Sequence, residues 1–141
     1  FKKTSHEYDI GIYKKYVREL IQIANCGFID TVAHITYPER YMKEAGKDFD
    51  YSVFEDDFTR LFEEIAKNGL ALEINTSGLR QGIFDTIPKI SILELFRKCG
   101  GEKITVNITS IQWRFHGCSF ILILDKALCR NLKEVTSYED E

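Results

Sequence analysis

Apolar residues recur at helical spacing near the start of the chain. Ile10, Tyr13, Val17, Leu20, Ile21 and Ala24 form one stripe, with Lys14, Lys15, Arg18 and Glu19 between them. This predicts an amphipathic helix that stops near Gly27, with a capping box at Thr4-Ser5-His6-Glu7. The run Ile29 to His34 predicts a short buried strand. From Tyr37 to Tyr51 the chain is polar and reads as irregular. A second helix is expected from the capping pattern Ser52-Val53-Phe54-Glu55, with Phe54, Phe58, Leu61, Phe62 and Ile65 facing inward. Asn68-Gly69 is a stop signal of the left-handed kind, and the strand Leu70 to Asn75 follows at once. A third helix between Pro88 and Cys99 turns Ile92, Leu95 and Phe96 inward and ends at Gly100-Gly101. The strand Lys103 to Asn107 comes next.

Helix and strand therefore alternate, with strands about every 35 residues. The strands are continuous apolar runs, which predicts parallel strands buried on both faces in an α/β layer or barrel. In such folds the working groups sit at the carboxyl ends of strands. His34, Glu73 to Ser77 and Asn107 occupy those ends and are expected to converge on one rim.

The 141 residues suffice for one domain, and the net charge of −3 gives no basic face for nucleic acid. No apolar run approaches the roughly 20 residues that cross a membrane. The opening residues carry no secretion signal, so a cytoplasmic setting is expected. Cys26, Cys99, Cys118 and Cys129 are far apart and read as reduced, packed thiols. The start at Phe1 reads as mid-protein, an N-terminally truncated fragment.

The polar groups that close the apolar runs narrow the chemistry. Taken singly, His34 reads first as a hydrogen-bonded core residue, Arg40 and Arg80 as solvated cations, and Thr76-Ser77-Gly78 as a turn. Together, one imidazole and two guanidinium groups above parallel strands could hold a metal-bound phosphate, since the guanidinium fork donates two hydrogen bonds at once.

The stretches "FIDTVAHITYPERY" and "LEINTSGLRQG", their separation, and the following "LELFRKCGGEKITV" resemble the second half of histidinol-phosphate phosphatases of the polymerase-and-histidinol-phosphatase (PHP) superfamily. The resemblance covers Tyr16 to Val106. It implies the second half of a distorted (β/α)7, TIM-like barrel with parallel strands, spanning residues 1–141 as a single partial domain. It also implies hydrolysis of L-histidinol phosphate at a rim holding two or three divalent cations, manganese, zinc or iron. His34 then matches a metal ligand. Arg40 and Arg80 match positions expected to contact the substrate phosphate, and Asn75 and Ser77 would shape the pocket. The expected partner is a small phosphorylated substrate, with no nucleic acid and no membrane.

Two departures from the family pattern stand out. The family's leading His-x-His and its intermediate His and Glu ligands are absent from the chain. After the last strand of the match, where the family has Ser-Asp-x-His, this sequence has Ile108-Thr109-Ser110-Ile111, with Thr109 in place of aspartate and Ile111 in place of histidine. Neither replacement binds a metal as those groups do. Residues 108–131 are an atypical segment, although Gly117, Phe120 and the closing "LKEVTSYEDE" again match the family, the last as its final strand. A reading-frame slip and recovery would explain this: out of frame, the codons of Ser110 to Arg114 can encode a His-Ser-x-Glu. Divergence of a decaying copy is the rival explanation. His116 and Cys118 within the segment are not read as a metal site. The parent is thus expected to be a metal-dependent phosphatase and this chain by itself to be inactive. The alternatives are a non-catalytic remnant or interaction module, and a PHP phosphoesterase for another small phosphate.

Overall fold

The computed structural model describes residues 4–48, 50–76 and 86–107, together with the backbone of 134–138. Helix α1 (His6–Ala24) leads into β1 (Thr31–Val32), followed by α2 (Tyr37–Glu44). A 3-10 turn (Tyr51–Phe54) runs into α3 (Glu55–Lys67), then β2 (Ala71–Asn75), α4 (Ile90–Lys98), β3 (Lys103–Asn107) and β4 (Glu134–Tyr138). The four strands lie side by side in sequence order, and every pairing is parallel. The α/β class and the parallel sheet agree with the expectation. The described residues form an open sheet, with β1 and β4 at its edges.

One face of the sheet carries the core. Val32, Leu72 and Ile104 are register partners across β1 to β3, and Ile74 pairs with Val106. These five residues pack with Tyr13, Val17, Leu20 and Ala24 of α1, with Phe58, Leu61, Phe62 and Ile65 of α3, and with Ile92, Leu93 and Phe96 of α4. The apolar positions of α3 are those its sequence period predicts. In α4 Ile92, Leu93 and Phe96 are buried, while Leu95, expected inward, is only partly buried against the core.

The other face carries polar residues, so the strands are not the continuous apolar runs expected, although Ala71 and Thr105 on it are buried. Strand residues alternate between faces, so Glu73 and Asn75 in β2, and Thr105 and Asn107 in β3, point away from the helices. Glu73 pairs with Thr105 and Asn75 with Asn107.

Four local readings also change. The segment after Tyr37 is not irregular: Pro38 starts a helix where a missing N–H costs nothing, Glu39 lies in its first turn and Lys43 in its last. Ser5, not Thr4, caps α1 by accepting from the Tyr8 N–H. Asp50, not Ser52, caps the turn ahead of α3. The first strand is only Thr31–Val32, because the chain turns left-handed at His34.

The α3–β2 junction follows its sequence signal. Gly69 has φ +64°, its N–H donates to the Ala66 carbonyl, and the Leu70 N–H donates to Ile65, each at 3.0 Å. Of the cysteines, Cys26 and Cys99 are described, both as free thiols. Cys26 is exposed rather than packed, while burial raises the pKa of Cys99.

Candidate functional site

His34 leaves β1 in the left-handed region, with φ +60°. A histidine pays steric strain there, and the surrounding structure holds it in place. Its carbonyl oxygen accepts from the Tyr16 hydroxyl at 2.7 Å and from the Tyr37 N–H at 2.9 Å. One residue on, the Ile35 carbonyl accepts from the buried Tyr13 hydroxyl at 3.0 Å. Two tyrosines one helical turn apart on α1 thus fix the backbone that carries the imidazole. The side chain stays half exposed, beside the Tyr37 ring at 5.5 Å between centroids.

Glu73 comes to the same place from the neighbouring strand. Its Oε1 lies 3.5 Å from His34 Nδ1. The Glu73 side chain is 12% exposed, and Oε1 is buried with no hydrogen-bond partner among the described residues. Glu73 also lines a cleft of about 480 Å³ on the polar face, with Asp30, Thr31, Thr105 and Asn107 along its walls. The sequence marks Glu73 only as one of several strand-end polar groups. The signal that singles it out is its place between Leu72 and Ile74, which turns it to the polar face.

The other expected residues are placed as follows. Asn75 closes β2 beside Asn107, and its backbone exchanges hydrogen bonds with Ile87 at 2.8 and 2.9 Å. Thr76 is buried, and its hydroxyl donates to the Asn107 carbonyl at 3.3 Å. Thus His34, past the end of β1, meets Glu73 within β2, and Asn75 with Thr76 meets Asn107 at the ends of β2 and β3. Arg40 lies on α2, where its Nε donates to Glu44 Oε1 at 3.1 Å. Ser77 and Arg80 lie outside the described residues, as does the 108–131 segment.

The residue beside Arg40 has the more elaborate surroundings. Glu39 is buried, accepts from the Tyr51 hydroxyl and pairs with Lys89 Nζ at 2.8 Å. Lys89 also stands 5.0 Å from the centre of the Tyr51 ring. Burial first, then the Glu39 charge, raises the Tyr51 pKa well above its ordinary value. This network ties α2 to the start of α4 behind the rim.

The half-exposed imidazole of His34 suits a divalent cation such as manganese, zinc or iron, and the Glu73 carboxylate stands beside its Nδ1. Among the described residues no three His, Cys, Asp or Glu side chains gather to complete a site. The pair therefore fits a contribution to a metal centre and not a whole one.

No protein-family model matches the chain. Among curated proteins, it is 29% identical over 108 residues to a protein of Thermotoga maritima described as a probable histidinol-phosphatase. The similarity covers 72% of this chain and 43% of that relative, so the chain matches less than half of the relative's length.

Proposed function

We propose that this chain is the carboxyl-terminal part of a metal-dependent phosphomonoesterase of the histidinol-phosphatase kind, built on a PHP-type (β/α)7 barrel and acting on L-histidinol phosphate. One observation carries the reading, the 108-residue similarity to a probable histidinol-phosphatase. The placing of His34 just past the end of β1, beside Glu73 of the neighbouring parallel strand, supports it.

Divalent cations, two or three in the complete site, would supply the electrophile and an activated water. The role of this chain's residues is to bind and orient. His34 donates an imidazole nitrogen to the cation site. Arg40 and Arg80 bind the phosphate oxygens of the substrate, for which Arg40 exchanges its pairing with Glu44 for the phosphate. Asn75 and Ser77 shape the pocket. Thr109 and Ile111, in place of an aspartate and a histidine, leave the chain short of ligands. It is therefore inactive on its own.

The test is phosphate release from L-histidinol phosphate with added manganese, zinc or iron. The 141-residue chain should release none above a variant lacking Arg40 and Arg80. The protein with its upstream part and with Thr109→Asp and Ile111→His should turn over, and His34→Ala should abolish that turnover and weaken metal binding. Arg40→Ala and Arg80→Ala should raise KM and leave metal content intact. Equal metal loss in all three variants contradicts this division of labour.

A further inference from the structure

The three hydrogen bonds around His34 and Ile35 fix the backbone that carries the imidazole, but none of them fixes the ring. The ring is half exposed and free to take either tautomer unless something selects one. The charged neighbour of its Nδ1 is Glu73, at 3.5 Å. That separation is long for a hydrogen bond, and the half-exposed imidazole has room to turn toward Glu73. The carboxylate has reason to receive it, because Oε1 is out of water and without a donor among the described residues. A buried acceptor left unmade is costly.

We propose that Glu73 is a positioning residue: its Oε1 accepts the Nδ1–H of His34 and so fixes the tautomer that leaves the Nε2 lone pair available at the rim. Histidines that ligate metals commonly donate their other ring N–H to a carboxylate, which sets ring orientation and raises ligand basicity. The use made of Nε2 rests on the phosphatase reading given above. The Glu73–His34 arrangement itself does not depend on that reading. Glu73 can hold this role because β2 is the neighbour of β1 and both run parallel. Val32 pairs with Leu72, so the next residue of β2 faces the end of β1 on the polar side.

The test is long-range proton–nitrogen NMR of the 15N-labelled chain near pH 8, without metal or substrate. Only three histidines are present, and a His34→Gln chain identifies the resonances of His34. The expected result is protonation at Nδ1, in about tenfold excess over the Nε2–H form, as one charge-assisted hydrogen bond supports. Glu73→Gln, whose amide can donate as well as accept, should lose that excess. A His34 ring protonated at Nε2 in the wild-type chain overturns the proposal. So does a Glu73→Gln chain that remains folded and keeps the Nδ1–H form. The wild-type spectrum decides the matter even where the variant fails to fold. Since neither metal nor substrate is present, failure here and failure of the phosphatase reading are separate results.

Discussion

The Tyr16 hydroxyl on α1 donates to the carbonyl oxygen of His34 at 2.7 Å, and so ties a helix in the first layer to the strand end that carries the candidate site. His34 stands in a left-handed conformation there, at φ +60°. Two measurable effects follow. Tyr16→Phe removes a hydrogen bond to a strained turn and should cost about 1 kcal/mol. His34→Gly should be more stable than His34→Ala by about 1 kcal/mol, since only glycine takes this backbone without a steric penalty. Urea midpoints of the three variants check both. Equal stability of the Gly and Ala variants would contradict the strain.

The Asp9 carboxylate, buried at the start of α1, accepts from the Thr4 hydroxyl and from Lys47. Burial pushes its pKa up. The hydrogen bonds from Lys47 and Thr4, with the Lys47 charge, outweigh that and hold it below the ordinary value of 3.8. The folded state therefore resists protonation more than the unfolded state. The pair's contribution to stability is present above pH 3.8 and is lost as pH falls through the lower folded value. Lys47→Met, which strands the carboxylate, should cost about 3 kcal/mol at pH 7. The gap between wild type and Asp9→Asn should narrow on acidification below pH 4, as followed by denaturant unfolding across pH. A gap that widens toward acid contradicts the assignment.

Lys89→Met removes the cation from buried Glu39 and leaves, among the described residues, the Tyr51 hydroxyl to satisfy it. A loss of about 3 kcal/mol is expected. Adding Glu39→Gln to the same chain should restore part of that loss, because the amide carries no charge to leave unpaired. A thermal-melt double-mutant cycle reads the coupling, and additive losses would show that the two residues act independently.

Gly101→Ala should destabilise by about 2–3 kcal/mol. A Cβ at that position would lie 2.3 Å from atoms of the Phe96 ring, and Phe96 is fully packed against Phe62 at the end of α4. Calorimetry of Gly101→Ala beside Phe96→Leu/Gly101→Ala would show whether the clash is with the ring. The double variant should recover part of the loss.

The parts of the fold that the sequence made legible are those where one face of a helix or strand is apolar. Phe58, Leu61, Phe62 and Ile65 repeat at the helical period and are buried, and Gly69 takes the left-handed turn that Asn68-Gly69 announces. Helix α2 was hidden because its buried residues are Met42 and Glu39, and one apolar side chain makes no stripe. Asp9 lies in a polar stretch and its cationic partner Lys47 is 38 residues away, so nothing local marks it as buried. The left-handed turn at His34 has no glycine to betray it, and tyrosines at positions 13 and 16 supply the compensating bonds from a distant element. That Asn75 and Thr76 would meet Asn107 was legible from strand ends alone. The pairing of His34 with Glu73 in particular needed the register. Ser77 and Arg80 carry much of the family resemblance and lie outside the described residues.

The central claim is that His34 and its neighbours at the strand ends belong to a phosphatase centre that this chain only partly contains. The most direct measurement is phosphate release from L-histidinol phosphate, with manganese, by the protein expressed with its upstream part and carrying Thr109→Asp and Ile111→His. The account predicts release that disappears in His34→Ala. A folded, metal-loaded protein that releases no phosphate, or a His34→Ala variant that turns over undiminished, would contradict it.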